Sequence, residues 1–410
     1  MHRRRLAHLL ALVCACNGRT VPEQTAGEPS TTSGSTGEPP ATTGTEAPTS
    51  SSSGAPTTGE PPVPATCSNG IVEPGEVCLG TPVQLDATAV ESVSTADVDG
   101  DGRGDLLTSA GLWLQRDDGF EPGVVPPLVI GGGVADFDGD GRVDLFAYDS
   151  EARTLALSRG DGLGGFAEPT VTVVSKLNGA FAADVDGDGR SEIVGQAPEL
   201  DALRTYAAGD DGLFTPLAIQ PMSIWASVRG VGDGDGDGFP DLLVGETDAT
   251  WVWWGQGDGS FVEMAETLPA QMFFVLADLE GDGADELLFA HADDGFDTGS
   301  YSAGALWPVG AQAEWPRAEV ALENFAIREI AGDMSSDGLG DVILARLGTP
   351  ADPVLEVLCG APGRQLARCA SLPMATPVAD LEALDINGDG ALDVVLAAGE
   401  GGLWAVPAVP

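Results

Sequence analysis

Oxygen-bearing side chains recur at fixed spacing seven times along this 410-residue chain, in nonapeptides that begin at Asp97, Asp136, Asp184, Asp233, Asp278, Asp333 and Asp385. With each copy numbered 1 to 9, position 3 is Asp99, Asp138, Asp186, Asp235, Glu280, Ser335 and Asn387, and position 5 is Asp101, Asp140, Asp188, Asp237, Asp282, Asp337 and Asp389. Position 9 is Asp105, Asp144, Glu192, Asp241, Glu286, Asp341 and Asp393, followed each time by two aliphatic or aromatic residues. A hard cation such as Ca²⁺ takes about six to eight oxygens at roughly 2.3 to 2.6 Å, and alternate residues of a tight loop aim theirs inward. Position 6 is glycine in every copy, which supplies the positive φ that turns such a loop back on its ion. The chemistry expected here is cation binding, up to seven Ca²⁺ in all.

The loops need elements to hold them. Successive copies start 39, 48, 49, 45, 55 and 52 residues apart, the period of a β-propeller blade. Extended apolar residues precede each loop, as in Val93-Ser-Thr-Ala, and a buried strand follows it, as in Leu106-Leu107 or Leu242-Leu243. A third strand (Leu112–Leu114, Leu203–Tyr206, Trp251–Trp253) and a fourth (Ala167–Val173) complete a four-stranded blade. The last repeat ends at Gly402–Pro410 as a third strand with no fourth, whereas Val83–Val90 precedes the first loop as a fourth strand without a blade. Joining the two would close the ring and hide both open edges. The fold class expected is all-β: a seven-bladed β-propeller over residues 81–410 with calcium-binding hairpin loops, preceded by a signal peptide and a disordered linker.

The pattern Asp-x-Asp-x-Asp-Gly-x-x-Asp followed by aliphatics resembles the FG-GAP or VCBS repeat of integrin α-chain propellers and of secreted bacterial proteins. That resemblance implies Ca²⁺ bound by side chains at positions 1, 3, 5 and 9 and by the main-chain carbonyl of position 7, here Arg103, Arg142, Arg190, Phe239, Ala284, Leu339 and Ala391. It also implies that ligands meet the face opposite the calcium hairpins. Ser335 and Asn387 replace an acid, so the sixth and seventh sites are expected to bind more weakly. An EF-hand or dockerin loop needs an acid at position 12 and a helix after it. Position 12 here is Thr108, Ala147, Gly195, Val244, Phe289, Leu344 or Leu396, which excludes both.

The formal charge of −46 is concentrated in the loops. Clustered carboxylates repel one another without metal, and tenfold saturation of one site adds roughly 1.4 kcal/mol. Calcium is therefore expected to hold the domain together. The same acidity, with Lys176 as the lone lysine, excludes binding to nucleic acid and to anionic headgroups.

Arg3-Arg4-Arg5 and the apolar run Leu6–Cys16 read as an export signal, too short to span a membrane. Val13-Cys14-Ala15-Cys16 resembles a bacterial lipobox with Cys16 lipidated, and a plain secretory signal is the alternative. The expected address is the outer membrane or cell surface of a bacterium, or a secreted or periplasmic location, with membrane attachment only through Cys16. Residues 17–66 are Ser, Thr, Gly, Pro and Glu with no aromatic, a disordered tether. Cys67–Cys78 lies in a short motif over 67–80 that resembles one in secreted bacterial proteins. That pair and Cys359–Cys369 are expected to be structural disulfides.

Catalytic material is scarce. His2 and His8 lie in the signal, leaving His291, read as a turn residue after the fifth hairpin. No nucleophile-base constellation is evident. The tryptophans at 113, 225, 251, 253, 254, 307, 315 and 404 read chiefly as blade packing, with sugar stacking as the alternative. Arg103-Gly104-Asp105 is the tripeptide that integrins bind, but its wrapped setting argues for coincidence. The chain is thus expected to be a monomeric surface module that binds a protein or glycan, with no cofactor besides Ca²⁺ and no enzymatic activity. An envelope polysaccharide lyase or hydrolase on the same propeller is the alternative.

Overall fold

The computed structural model describes residues 77–117, 119–124, 132–246, 249–263, 268–269, 273–292, 301–306, 317–322, 326–346 and 353–409. The expected signal with Cys16, the linker, Cys67, Trp307 and Trp315 lie outside the described residues. All regular elements described are strands.

Each acidic nonapeptide opens one antiparallel meander. In blade one the strands are Val93–Ala96, Asp105–Thr108, Gly111–Arg116 and Gly119–Pro122, hydrogen-bonded in chain order. Blades two to six repeat this arrangement, with first strands Gly132–Ala135, Asn178–Ala183, Ser227–Gly232, Phe273–Ala277 and Ala326–Gly332, and in blade four Leu268–Pro269 also pairs with the third strand. Position 9 of every loop is the first residue of the second strand, paired with the residue just before the loop, as Asp105 is with Ala96 and Asp393 with Leu384. The two residues after position 9 point to opposite faces of the sheet. Leu242, Leu243, Leu287, Leu288, Val342, Ile343, Val394 and Val395 are all buried, because each sheet is covered on both sides by its neighbours.

Blade seven is built from both ends of the chain. Asp380–Leu384, Asp393–Ala397 and Leu403–Val406 form its first three strands, and Val83–Asp86 supplies the fourth, with Val83 opposite Ala405 and Gln84 opposite Trp404. Val90 bridges Gly399 as the chain leaves this edge. The tail differs from a plain third strand. Ala408–Val409 turns away and pairs with Cys78–Leu79, so the end of the cysteine motif is buried against the propeller. The first strands of neighbouring blades touch in an unbroken cycle, from blade one through blade seven and back, and therefore surround the axis.

Cys359 and Cys369 form a disulfide across blade six. Cys78 is also disulfide-bonded.

Candidate metal centre

The loops close on their first residue. Asp97 accepts the Gly100 N–H on Oδ1 at 2.8 Å and the Gly102 N–H on Oδ2 at 2.9 Å, and Asp136, Asp184, Asp233, Asp278 and Asp385 repeat both bonds. Asp333 keeps only the second of the pair, from Gly338 at 2.9 Å. Two left-handed residues make this wrap possible. Position 6 is the glycine anticipated above; position 4 is equally left-handed, with φ between 70° and 75° at six glycines and 54° at Ser336. A side chain at such φ is strained, so the sixth loop is the costliest to form. A carboxylate has about four lone-pair sites, and these bonds leave some of them free on the inner side.

Position 9 is the anchor. Its seven carboxyls are only 0 to 3% exposed. Asp105 accepts the Val98 N–H from its own loop at 3.0 Å and the Gln115 N–H from the third strand at 2.8 Å. Asp144, Asp241, Asp341 and Asp393 are likewise held by donors on both sides. Burial pushes every one of these acids up: Asp105, Asp144 and Asp393 to about 6, and Asp241 and Asp341 to about 7. Glu192 and Glu286 go further, to about 8, also through burial. Each has a single main-chain donor opposing it, Val185 or Leu279. A buried acid among other acids that is held ready by main-chain N–H groups is a position that a cation would stabilise.

The acids converge. Asp97, Asp99 and Asp101, then Asp136, Asp138 and Asp144, then Asp184, Asp186 and Glu192, then Asp233, Asp235 and Asp241 each bring three carboxylate oxygens within 4.8 Å of one another. These four sets could hold a metal ion, and their oxygen-only donors, free of Cys and His, suit a hard one. Among the described residues, loops five to seven bring no three acids so close. Ser335 and Asn387 account for the last two. In loop five, Glu280 is drawn aside by Arg364 of blade six, at 3.1 Å. Guanidinium groups also stand at loop one, where Arg116 reaches Asp99 at 2.8 Å, and at loop two, where Arg159 is 3.3 Å from Asp138.

Each loop is stitched to the neighbouring blade. At three junctions the position 8 N–H donates to the position 1 carbonyl of the preceding loop: Ser191 to Asp136 at 2.7 Å, Asp285 to Asp233 at 2.6 Å and Leu392 to Asp333 at 3.4 Å. At three others the position 2 carbonyl accepts: on Val98 from Gly164 at 3.1 Å and on Val185 from Gly259 at 3.0 Å, both in connections between third and fourth strands, and on Leu279 from Gly340 of loop six at 2.7 Å. The seventh junction, between blades seven and one, uses the Gln115 side chain, which donates to Asp385 O at 2.8 Å and Ile386 O at 3.0 Å.

Other anticipated residues fall as follows. Asp105 is buried and a Cβ on Gly104 would strike Leu384, so the Arg103-Gly104-Asp105 tripeptide is not displayed. His291 is not in a turn: the second strand of blade five runs on through Glu286–Ala292 and pairs it with Ser302. Trp251, Trp253 and Trp254 pack between blades. Trp225 does not. It lies between the fourth strand of blade three and the first of blade four and is 76% exposed, beside exposed Ile224 and near exposed Leu200. First strands run toward the acidic loops, so this connection is on the opposite face.

Sequence reasoning missed a set of charges on the axial strands. Glu329 is 7% exposed with no partner on either oxygen, and burial pushes its carboxyl up to about 8. Burial likewise holds Glu382 well above the carboxylate range, and Arg328 is 3.6 Å from Asp380 across the junction of blades six and seven. The available signal was charge interrupting apolar first strands.

The FG-GAP-like repeat family matches residues 136–195 and 233–289. No curated protein matches the sequence. Among solved structures, the chain is similar to a periplasmic gluconolactonase from Pseudomonas aeruginosa, with a TM-score of 0.50 and 11% identity over 77% of this chain and 90% of that one. It is also similar to a protein from Lactobacillus plantarum, with a TM-score of 0.43 and 12% identity over 72% and 83%. The first of these corrects one expectation. A propeller of this fold is itself described as a gluconolactonase, so a single histidine in the folded part is no ground for excluding catalysis. In fold this chain is a seven-bladed β-propeller, and within it residues 136–195 and 233–289 match the FG-GAP-like repeat.

Proposed function

We propose that the protein is an exported propeller, loaded with Ca²⁺ at its acidic loops, that binds a protein or glycan ligand on the face opposite them. The observation that carries the binding reading is Trp225. A tryptophan 76% exposed leaves most of its ring in water, although burial of aromatic area is among the largest gains available to a chain. The connection that presents it is fixed: Met222 N–H donates to Asp201 O at 2.9 Å and Gln196 Nε2 to Ser223 O at 3.1 Å. A rigid aromatic platform with amide and hydroxyl neighbours suits a sugar ring or an apolar peptide side chain.

Calcium as the ion follows from the donor chemistry, and the ligand set is positions 1, 3, 5 and 9 with the position 7 carbonyl. Export rests on the basic and apolar run Arg3–Cys16, with Cys16 as the lipid anchor, and is supported by the Cys359–Cys369 disulfide. A second reading is an enzyme acting on envelope polysaccharide. Partnerless Glu329 favours it, since a carboxyl that keeps its proton near neutral pH can act as a general acid. One screen tests both: glycan-array binding, pull-down and polysaccharide turnover by the mature chain, with Ca²⁺ or with chelator. Binding that Trp225→Ala abolishes supports the first reading, and turnover that Glu329→Gln abolishes supports the second. Ligand binding untouched by Trp225→Ala overturns the role of this face.

A further inference from the structure

In five blades, Oδ1 of the position 9 aspartate accepts an N–H from the third strand or just beyond it, from Gln115, Gly160, Gly255, Gly360 or Ala408. The residue that follows this donor is Arg116, Asp161, Gln256, Ala361 or Val409, so among these five only blade one sets a cation there. Arg116 turns it onto its own loop. Nη1 is 2.8 Å from Asp99 Oδ2 and 3.3 Å from Asp101 Oδ2, the acids at positions 3 and 5 of loop one, while Nε is steadied by Glu121 Oε1 of the fourth strand at 2.7 Å. Gln256, at the same place in blade four, instead bonds back to the carbonyls of Trp254 and Gly255 at 3.1 and 2.8 Å.

Loop one also differs in which acids meet. Loops two, three and four gather positions 1, 3 and 9, whereas loop one gathers Asp97, Asp99 and Asp101, positions 1, 3 and 5. These last two are the acids that one guanidinium bridges. Asp99 keeps its Oδ1 buried without a partner, so the bridge offsets charge and still leaves an acceptor open. Loop two has arginines as well, but each meets a single acid, Arg159 with Asp138 and Arg142 with Asp140, both at 3.3 Å, and position 9 stays in the set. In loop three, Arg190 turns away to Asp210 at 3.4 Å.

We propose that Arg116 is a built-in counter-ion of loop one, which competes there with Ca²⁺, so that this loop takes an ion only as the guanidinium withdraws and binds it more weakly than loops three and four. The inference deepens the calcium reading above and rests on it. A positive group this close to two ligand carboxylates repels an incoming cation, and its charge-assisted bonds to them must be given up first. In exchange, loop one is charge-balanced before any metal arrives.

The guanidinium can be removed with every candidate ligand left in place. The test is calorimetric titration of the chelator-treated mature chain with CaCl2, together with melting temperatures in chelator and in Ca²⁺. Arg116→Gln should bind one ion about tenfold more tightly than the wild type, the low end for a charge-assisted bond because the group is part-exposed. It should also melt lower in chelator and gain more on addition of Ca²⁺. Combining it with Asp99→Asn should erase the tightened site, which assigns that site to loop one. Arg116→Met takes the place of the glutamine variant should that fold poorly. A residue that merely packs would lower both melting temperatures alike and leave the isotherm unchanged. That outcome, weaker binding by the single variant, or a tightened site that survives Asp99→Asn overturns the proposal while the calcium reading stands; no uptake of Ca²⁺ by wild type or variant overturns both.

Discussion

Glu192→Gln separates two properties that the position 9 carboxyl combines, its burial and its charge. Burial lifts Glu192 from 4.5 to about 8, the N–H of Val185 opposes the shift, and Asp186, Asp188 and Asp184 add repulsion. The folded chain without metal therefore holds a proton that the unfolded chain releases. Because the folded value is raised, this proton's contribution to stability is complete below pH 4.5 and declines as pH rises, vanishing above about 8. The slope is about 1.4 kcal/mol per pH unit, so about 3 kcal/mol is gone by pH ~7. Glutamine has no proton to lose, and its carbonyl oxygen can still accept from Val185. In chelator, Glu192→Gln should flatten the dependence of stability on pH and exceed the wild type by about 3 kcal/mol near neutrality. In millimolar Ca²⁺ the order should invert, because the ion uses the negative charge that the variant lacks. Urea unfolding at several values between pH ~5 and ~8, with EDTA and with Ca²⁺, measures both. Parallel pH curves for the two proteins in EDTA, or the same ranking in both media, would refute the reasoning.

Deleting residues 81–92 removes the fourth strand of blade seven and the Val90–Gly399 bridge, which exposes the edge of Leu403–Val406. The shortened chain should aggregate or melt well below the wild type, and an unchanged melting temperature counts against closure by this strand. Replacing Cys359 and Cys369 by serine opens a short loop with a sequence separation of 10. The loss, read from urea unfolding, should be about 2–3 kcal/mol.

What was legible in the sequence was what depends on local spacing. Nine residues suffice to wrap a loop on Asp97 or Asp233, so the ligand pattern, the glycine at position 6 and the buried pair after position 9 could all be read from the chain alone. Closure by Val83–Asp86 was legible because one strand was left over and one blade was short. Gln115 was not legible: Asp385 lies 270 residues away, and nothing near Gln115 marks its partner. Arg364 likewise reaches Glu280 across 84 residues, so the distortion of loop five was invisible. His291 was misplaced because the acidic residues after it read as a turn, whereas apolar Phe289-Ala290 carries the strand on to Ala292. Trp225 looked like seven other tryptophans, and only its place between two blades makes it an exposed one.

The acidic hairpins and the other connections of the propeller are under different constraints. Each acidic loop keeps nine residues, two left-handed positions and bonds to its neighbours, so an insertion there would disturb an entire arc of the ring. The connections at the other ends of the same strands carry no such requirement. Between the second and third strands the chain uses residues 109–110 in blade one but residues 150–153 in blade two, with the same wrap of the loop on its first aspartate beside each. Variation in repeat length is thus absorbed outside the acidic hairpins, both here and between the third and fourth strands, which are separated by residues 159–169 in blade two and 209–213 in blade three. A frame whose acidic hairpins keep one length can vary its other connections and present a residue such as Trp225 without disturbing those hairpins.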